Sequence, residues 1–148
     1  MTDMEDYVID QVASAIAPSV IPIKNIGSDY TITPEAFPYA LISATAITPD
    51  MSARIVGSPN YQETMMLTVE VYSNKVNGRK TEAKEIMRQI TEKLASLNFI
   101  HTMQSPEPYE PGYFRLVSRY TAKIRHYTRP QTVEGEEVMQ DVYVIYQN

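Results

Sequence analysis

Residues 61–127 carry the pattern that most restricts what this chain can fold into. Two long runs with a period of two flank a segment with a helical period. The first run, Gln62 to Tyr72, sets Met65, Leu67, Val69 and Val71 on one face. Thr64, Met66, Thr68, Glu70 and Tyr72 take the other, which predicts a half-buried antiparallel strand. The second run, Tyr113 to Arg125, puts Phe114, Leu116, Ser118, Tyr120, Ala122 and Ile124 on one side. Arg115, Val117, Arg119, Thr121, Lys123 and Arg125 share the opposite side. Between the runs, Ala83, Ile86, Met87, Ile90, Leu94 and Leu97 recur at helical spacing. They predict an amphipathic helix that opens after Asn77-Gly78-Arg79 and ends near Phe99. Lys80, Glu82, Glu85, Arg88, Gln89, Glu92 and Lys93 cover its outer side.

The flanks are shorter signals. Tyr7, Val8, Val12, Ala13 and Ile16 predict a helix over residues 3–17, with Asp3, Glu5 and Asp6 suited to its positive end. Pro18 and Pro22 stop it. Ser19 to Thr33 is expected to be an extended connector with a short strand near Val20–Ile23. Phe37 to Ile47 predicts a strand with Pro38 at its start. Both of its sides are apolar or small, so cover on both faces is expected. Residues 48–60 fit no period and are expected to form a long, mobile loop. Met51, Ile55 and Val56, with Arg54 among them, suggest docking, because apolar side chains on a loop tip gain nothing from water. Pro106, Pro108 and Pro111 predict a second loop over residues 105–112. After Arg129-Pro130 the chain turns polar through Glu134 to Glu137. Val138 to Tyr146 reads as a last strand. The expected division is a domain over 1–128 and an extension or closing strand over 129–148.

Bulk properties narrow the function. A chain of 148 residues suits one domain, and 43% hydrophobic residues suffice for a real core. No apolar run is long enough to cross a bilayer, so no membrane partner is expected. Met1 to Asp6 is acidic and unlike a signal peptide. Cysteine is absent, which excludes disulfides and cysteine-based metal or redox sites and makes a reducing cytoplasm the simplest home. A net charge of -5 argues against a general nucleic-acid binder, though not against a protein that lets DNA pass without holding it.

Chemistry is hard to place on these residues. The two histidines, His101 and His126, have no companion at metal-ligand spacing. No nucleophile elbow or glycine-rich phosphate loop occurs. Glu134, Glu136 and Glu137 are nearly contiguous and read as a solvated acidic turn. No catalytic, cofactor or metal residue is assigned, and the chain is not expected to be an enzyme. The stripe Arg115, Arg119, Lys123, Arg125 is the feature that needs explaining. It faces solvent, or pairs with acids such as Glu70, Glu137 or Asp141, or grips nucleic acid with Tyr72 and Tyr127 as stacking platforms.

With these segments in order, the sequence resembles the tail terminator, or tail completion, proteins of long-tailed bacteriophages and phage-like particles. A first helix precedes Phe37-Pro-Tyr-Ala-Leu-Ile-Ser43, similar to the strand entry of that family. A long loop leads to Thr68-Val-Glu-Val-Tyr72, and Asn77-Gly-Arg-Lys-Thr-Glu-Ala-Lys-Glu-Ile86 resembles its helix start. Asn98-Phe99, the proline-rich loop and the Arg115–Arg125 strand follow. The resemblance implies an α+β fold, a single domain with two helices packed on one face of a mainly antiparallel sheet. It implies a homo-oligomeric ring, typically a hexamer, at the head-proximal end of the tail tube. Such a ring binds the tube protein, ends polymerisation and presents a surface to a neck or head-connector protein. In contractile systems it meets the sheath too. The implied location is the virion tail or neck, after assembly in the host cytoplasm. The loop of Met51, Arg54, Ile55 and Val56 would then dock on the tube. Glu70, Arg115, Arg119, Lys123 and Arg125 would face a subunit or partner, and DNA would only pass through the lumen. Another connector or neck role, or a nucleic-acid-binding module, are the alternatives.

Overall fold

The two alternating runs become the centre of one sheet. A computed structural model describes residues 4–16, 19–28, 34, 36–49, 61–107 and 113–146. Helix α1 (Met4–Ala15) leads through a short 3-10 turn, Ile23–Asn25, to strand β1 (Ile26–Gly27). Strands β2 (Tyr39–Pro49) and β3 (Tyr61–Ser73) follow, then helix α2 (Arg79–Ser96). Strands β4 (Ile100–Glu107), β5 (Phe114–Val133) and β6 (Glu136–Tyr146) complete the chain. The sheet order is β1-β2-β3-β5-β4, with β6 also paired to β5. Among the described residues only the β1–β2 pair is parallel. This is the expected α+β fold.

Both helices cover the same face. Val8 and Val12 from α1 join Ala83, Ile86, Met87, Ile90 and Leu94 from α2 over Ala40, Ile42, Met65, Leu67, Val69, Val71, Leu116, Tyr120, Ala122 and Ile124. Cross-strand neighbours share a face, and the register Val71↔Leu116, Leu67↔Tyr120 and Met65↔Ala122 aligns the two apolar sets. Tyr120 is fully buried, and its hydroxyl meets Thr91 Oγ1 at 2.6 Å, so the core keeps no unpaired phenol there. Two polar contacts fix the edges of this layer. The Ala44 amide donates to Glu5 Oε2 at 2.7 Å, tying α1 to a bulge in β2 between Ala44 and Ala46. Asn98 (φ 70) ends α2 in the left-handed conformation, with the Phe99 amide bonded to Leu94 O at 2.9 Å. Its side-chain amide donates to Ile145 O at 3.2 Å and so links the helix end to β6.

Several expectations need correction. The segment read as a proline-broken loop begins with β4, and Ser105, Pro106 and Glu107 lie in that strand. Among the described residues β4 pairs with β5 alone, so it is an edge there, where a proline's missing N–H costs no ladder bond on the open side. The expected strand near Val20–Ile23 does not form: the chain bends there, the 3-10 turn begins at Ile23, and β1 follows it. Thr48 and Pro49 belong to β2 rather than to the loop. The remainder of that loop, residues 50–60, lies outside the described residues.

β5 is also longer than its alternating run, at 20 residues. β4 and β6 lie one after the other along the same edge of β5, opposite residues 115–121 and 123–133 respectively. β3 ends opposite His126. Among the described residues, 127–133 and their β6 partners therefore continue past β3 as a two-stranded arm. Its tip is a two-residue turn in which Glu134 (φ 52) and Gly135 (φ 82) both have positive φ. That geometry suits the right-handed twist of a hairpin. The boundary expected at 128–129 thus falls inside a continuous strand.

Candidate assembly surface on the helix-free face

The face of the sheet away from the helices carries the side chains singled out by the sequence. Its rows run across strands: Tyr39–Tyr72–Arg115, Leu41–Glu70–Val117, Ser43–Thr68–Arg119, and further along Thr64–Lys123, with Arg125 beyond. The first two rows form a closed end. Leu41, Glu70, Tyr72, Tyr113 and Val117 are all buried there. Aromatic rings make the cover. Phe37 lies 5.9 Å from Tyr113, Tyr113 lies 5.9 Å from Tyr72, and Tyr72 lies 6.4 Å from Tyr39, all tilted. Arg115 forms a salt bridge with Glu70, and its guanidinium sits 6.0 Å from the Tyr72 ring centroid. The Tyr72 hydroxyl donates to Glu70 Oε2 at 3.4 Å. Arg115 Nε is buried and has no hydrogen-bond partner among the described residues.

Burial, reinforced by the Glu70 carboxylate and partly opposed by Arg115, pushes the Tyr72 phenol from its usual 10.0 up to about 12. The folded state therefore holds this proton more tightly than the unfolded chain. Its stabilising effect is complete below pH 10 and is lost as pH rises through about 12. Tyr72→Phe removes the proton, so urea midpoints across that window should fall less steeply than for the natural sequence. Equal slopes would contradict the assignment.

The other end of the face is open. Arg119 is exposed, Lys123 is half-buried and Arg125 is exposed. Among the described residues neither Arg119 nor Lys123 makes an ion pair. Met66 and Ile100, at 38% and 48% exposure, stand on the same face. Thr45 Oγ1 and Thr68 Oγ1 pair at 3.2 Å beside them. The basic stripe is thus split. Arg115 and Glu70 satisfy each other within the chain, whereas Arg119, Lys123 and Arg125 lie toward the open end. Met51, Arg54, Ile55 and Val56 fall outside the described residues.

Two features of this surface had no place in the sequence reading. One is the aromatic cover, whose members come from distant segments and show no period. The other is the arm: the sequence predicts the acidic turn and the last strand, but not that β5 runs on to Val133 to pair with that strand. Elsewhere, His101 stacks on Tyr120 at 4.9 Å and its Nε2 contacts Met103 O at 2.9 Å, a packing role. No group of three or more His, Cys, Asp or Glu residues able to hold a metal occurs among the described residues. A shallow groove of about 390 Å³ at the start of α2 is lined by Ser19, Lys75, Asn77, Thr81, Glu82 and Glu85. Glu82 there already accepts a 2.7 Å bond from Ser73 Oγ.

No family model matches the sequence, and neither does any curated protein. The fold, however, is similar to that of a chain in the virion of a native gene transfer agent particle. The TM-score is 0.62 at 11% identity, over 79% of this chain and 91% of that one.

Proposed function

We propose that this protein is a structural component of a phage or phage-like virion, forming a ring that caps the head-proximal end of the tail tube. One observation carries this reading: a chain of a gene transfer agent virion has the same fold over nearly its whole length. The order of elements that resembles tail terminators supports the finer assignment. A cap needs shape and complementary surfaces rather than a nucleophile. In this reading the ring holds several copies, six by the family pattern. It binds the tube protein, stops tube growth and meets a neck protein, with the sheath as a further neighbour if the tail contracts. DNA passes through, and no reaction is catalysed.

The test is to mix the purified protein with purified tail tubes. Sedimentation should recover it with the tubes, and electron micrographs should show a ring at one end. A persistent monomer that leaves tube length uncontrolled would sink the reading. Deleting Met51 to Val56 should leave the circular dichroism spectrum and melting unchanged and abolish tube capping. Unfolding of that variant would instead assign the segment to the core. A connector position elsewhere in the neck is compatible with the same fold. Binding to a connector but not to tube ends would favour it.

A further inference from the structure

We propose that the acidic tip of the β5–β6 arm of one copy docks on the basic open end of the helix-free face of the next copy. The inference rests on the ring reading and supplies its contact. Glu134, Glu136 and Glu137 are exposed at the tip, and no ion pair joins them among the described residues. Arg119 and Lys123 are the complementary charges. The carboxylate of Glu70 on that face is already engaged by Arg115. Apolar surface matches as well: Val133 is 45% exposed beside the tip turn, and Met66 and Ile100 flank the stripe.

The arm cannot satisfy its own stripe. Val133 lies ten residues beyond Lys123 on one strand, roughly 30 Å at the usual rise per residue. The arm also reaches roughly 20 Å past the last β3 pairing. A two-stranded ribbon is marginal alone in water, and among the described residues no strand pairs the second edge of residues 127–133. Cover by a neighbour removes both costs. Because tip and stripe are different surfaces, the contact is head-to-tail. Repeated with a rotation that closes, it generates a ring.

The absence of cysteine allows a direct test. A variant carrying Glu136→Cys and Lys123→Cys should give, on mild oxidation, a ladder of covalent oligomers, while each single variant stops at dimers. Glu134→Lys with Glu136→Lys and Glu137→Lys should weaken self-association roughly tenfold or more, as should Arg119→Glu with Lys123→Glu. Combining the two sets should restore it. Rings that form without the ladder, and that ignore both charge reversals, would overturn the proposal and leave the capping function standing. If the natural protein never self-associates, alone or on tubes, both fall. If Arg119→Glu with Lys123→Glu abolishes oligonucleotide binding but not assembly, the stripe serves nucleic acid and the docking proposal is wrong.

Discussion

Leu94→Asp should yield no folded protein. Leu94 is fully buried in α2, within the cluster that joins both helices to β2, β3 and β5. Losing the burial of a leucine costs about 1.5–3 kcal/mol. Placing a carboxylate in the same dry space costs several kcal/mol more. A domain of this size has only about 5–15 kcal/mol to lose. The carbonyl of Leu94 also accepts the Leu97 and Phe99 amides, so displacing this turn opens the helix end. Soluble yield and far-ultraviolet circular dichroism are the measurements. Leu94→Ala is the graded control, expected to cost about 2–5 kcal/mol in urea unfolding while keeping the fold. A stable, native-like Leu94→Asp would remove α2 from the core.

Glu70→Ala should be the most damaging change on the helix-free face. It leaves the Arg115 guanidinium against the Tyr72 ring with its carboxylate partner gone. Breaking a buried pair by removing one partner costs about 3–5 kcal/mol. The lower end is expected, because 31% of the Arg115 side chain still reaches solvent. Arg115→Met in the same background should recover much of the loss, since the stranded charge is then gone. A double-mutant cycle by urea unfolding measures this. A double variant no better than Glu70→Ala would show that the charge left behind is not the cause.

The main strands, both helices and the core face were legible because each rests on a long, unbroken period. Met65 to Val71 and Leu116 to Ile124 needed only alternation, and Ala83 to Leu94 only helical spacing. β4 was hidden because Pro106 reads as a breaker, and only the neighbour list of a strand tells an edge from a centre. The same holds for Pro130, which sits in the arm where β5 has β6 on one side and has run past the end of β3 on the other. The closed end of the outer face was hidden for another reason. Alternation placed Glu70 and Tyr72 toward water, but rings from Phe37 and Tyr113, far apart in sequence, bury that end. The Arg115–Glu70 pair was readable as cross-strand chemistry, since the two residues lie diagonally across β3 and β5. The acidic turn at Glu134 to Glu137 was readable too, but not its tight two-residue hairpin form, because a glutamate at positive φ is uncommon and masks the usual hairpin signature.

The unbroken course of β5 has a mechanical consequence. Its backbone bonds to β3, β4 and β6 lie across the direction of the strand. Tension applied at the tip along the arm axis therefore loads the β5 bonds to β3 and β4 together, in shear, instead of peeling them one by one. A tug on that projection is handed straight to the helix-covered centre of the molecule, as a tenon transmits strain into the timber it is cut from.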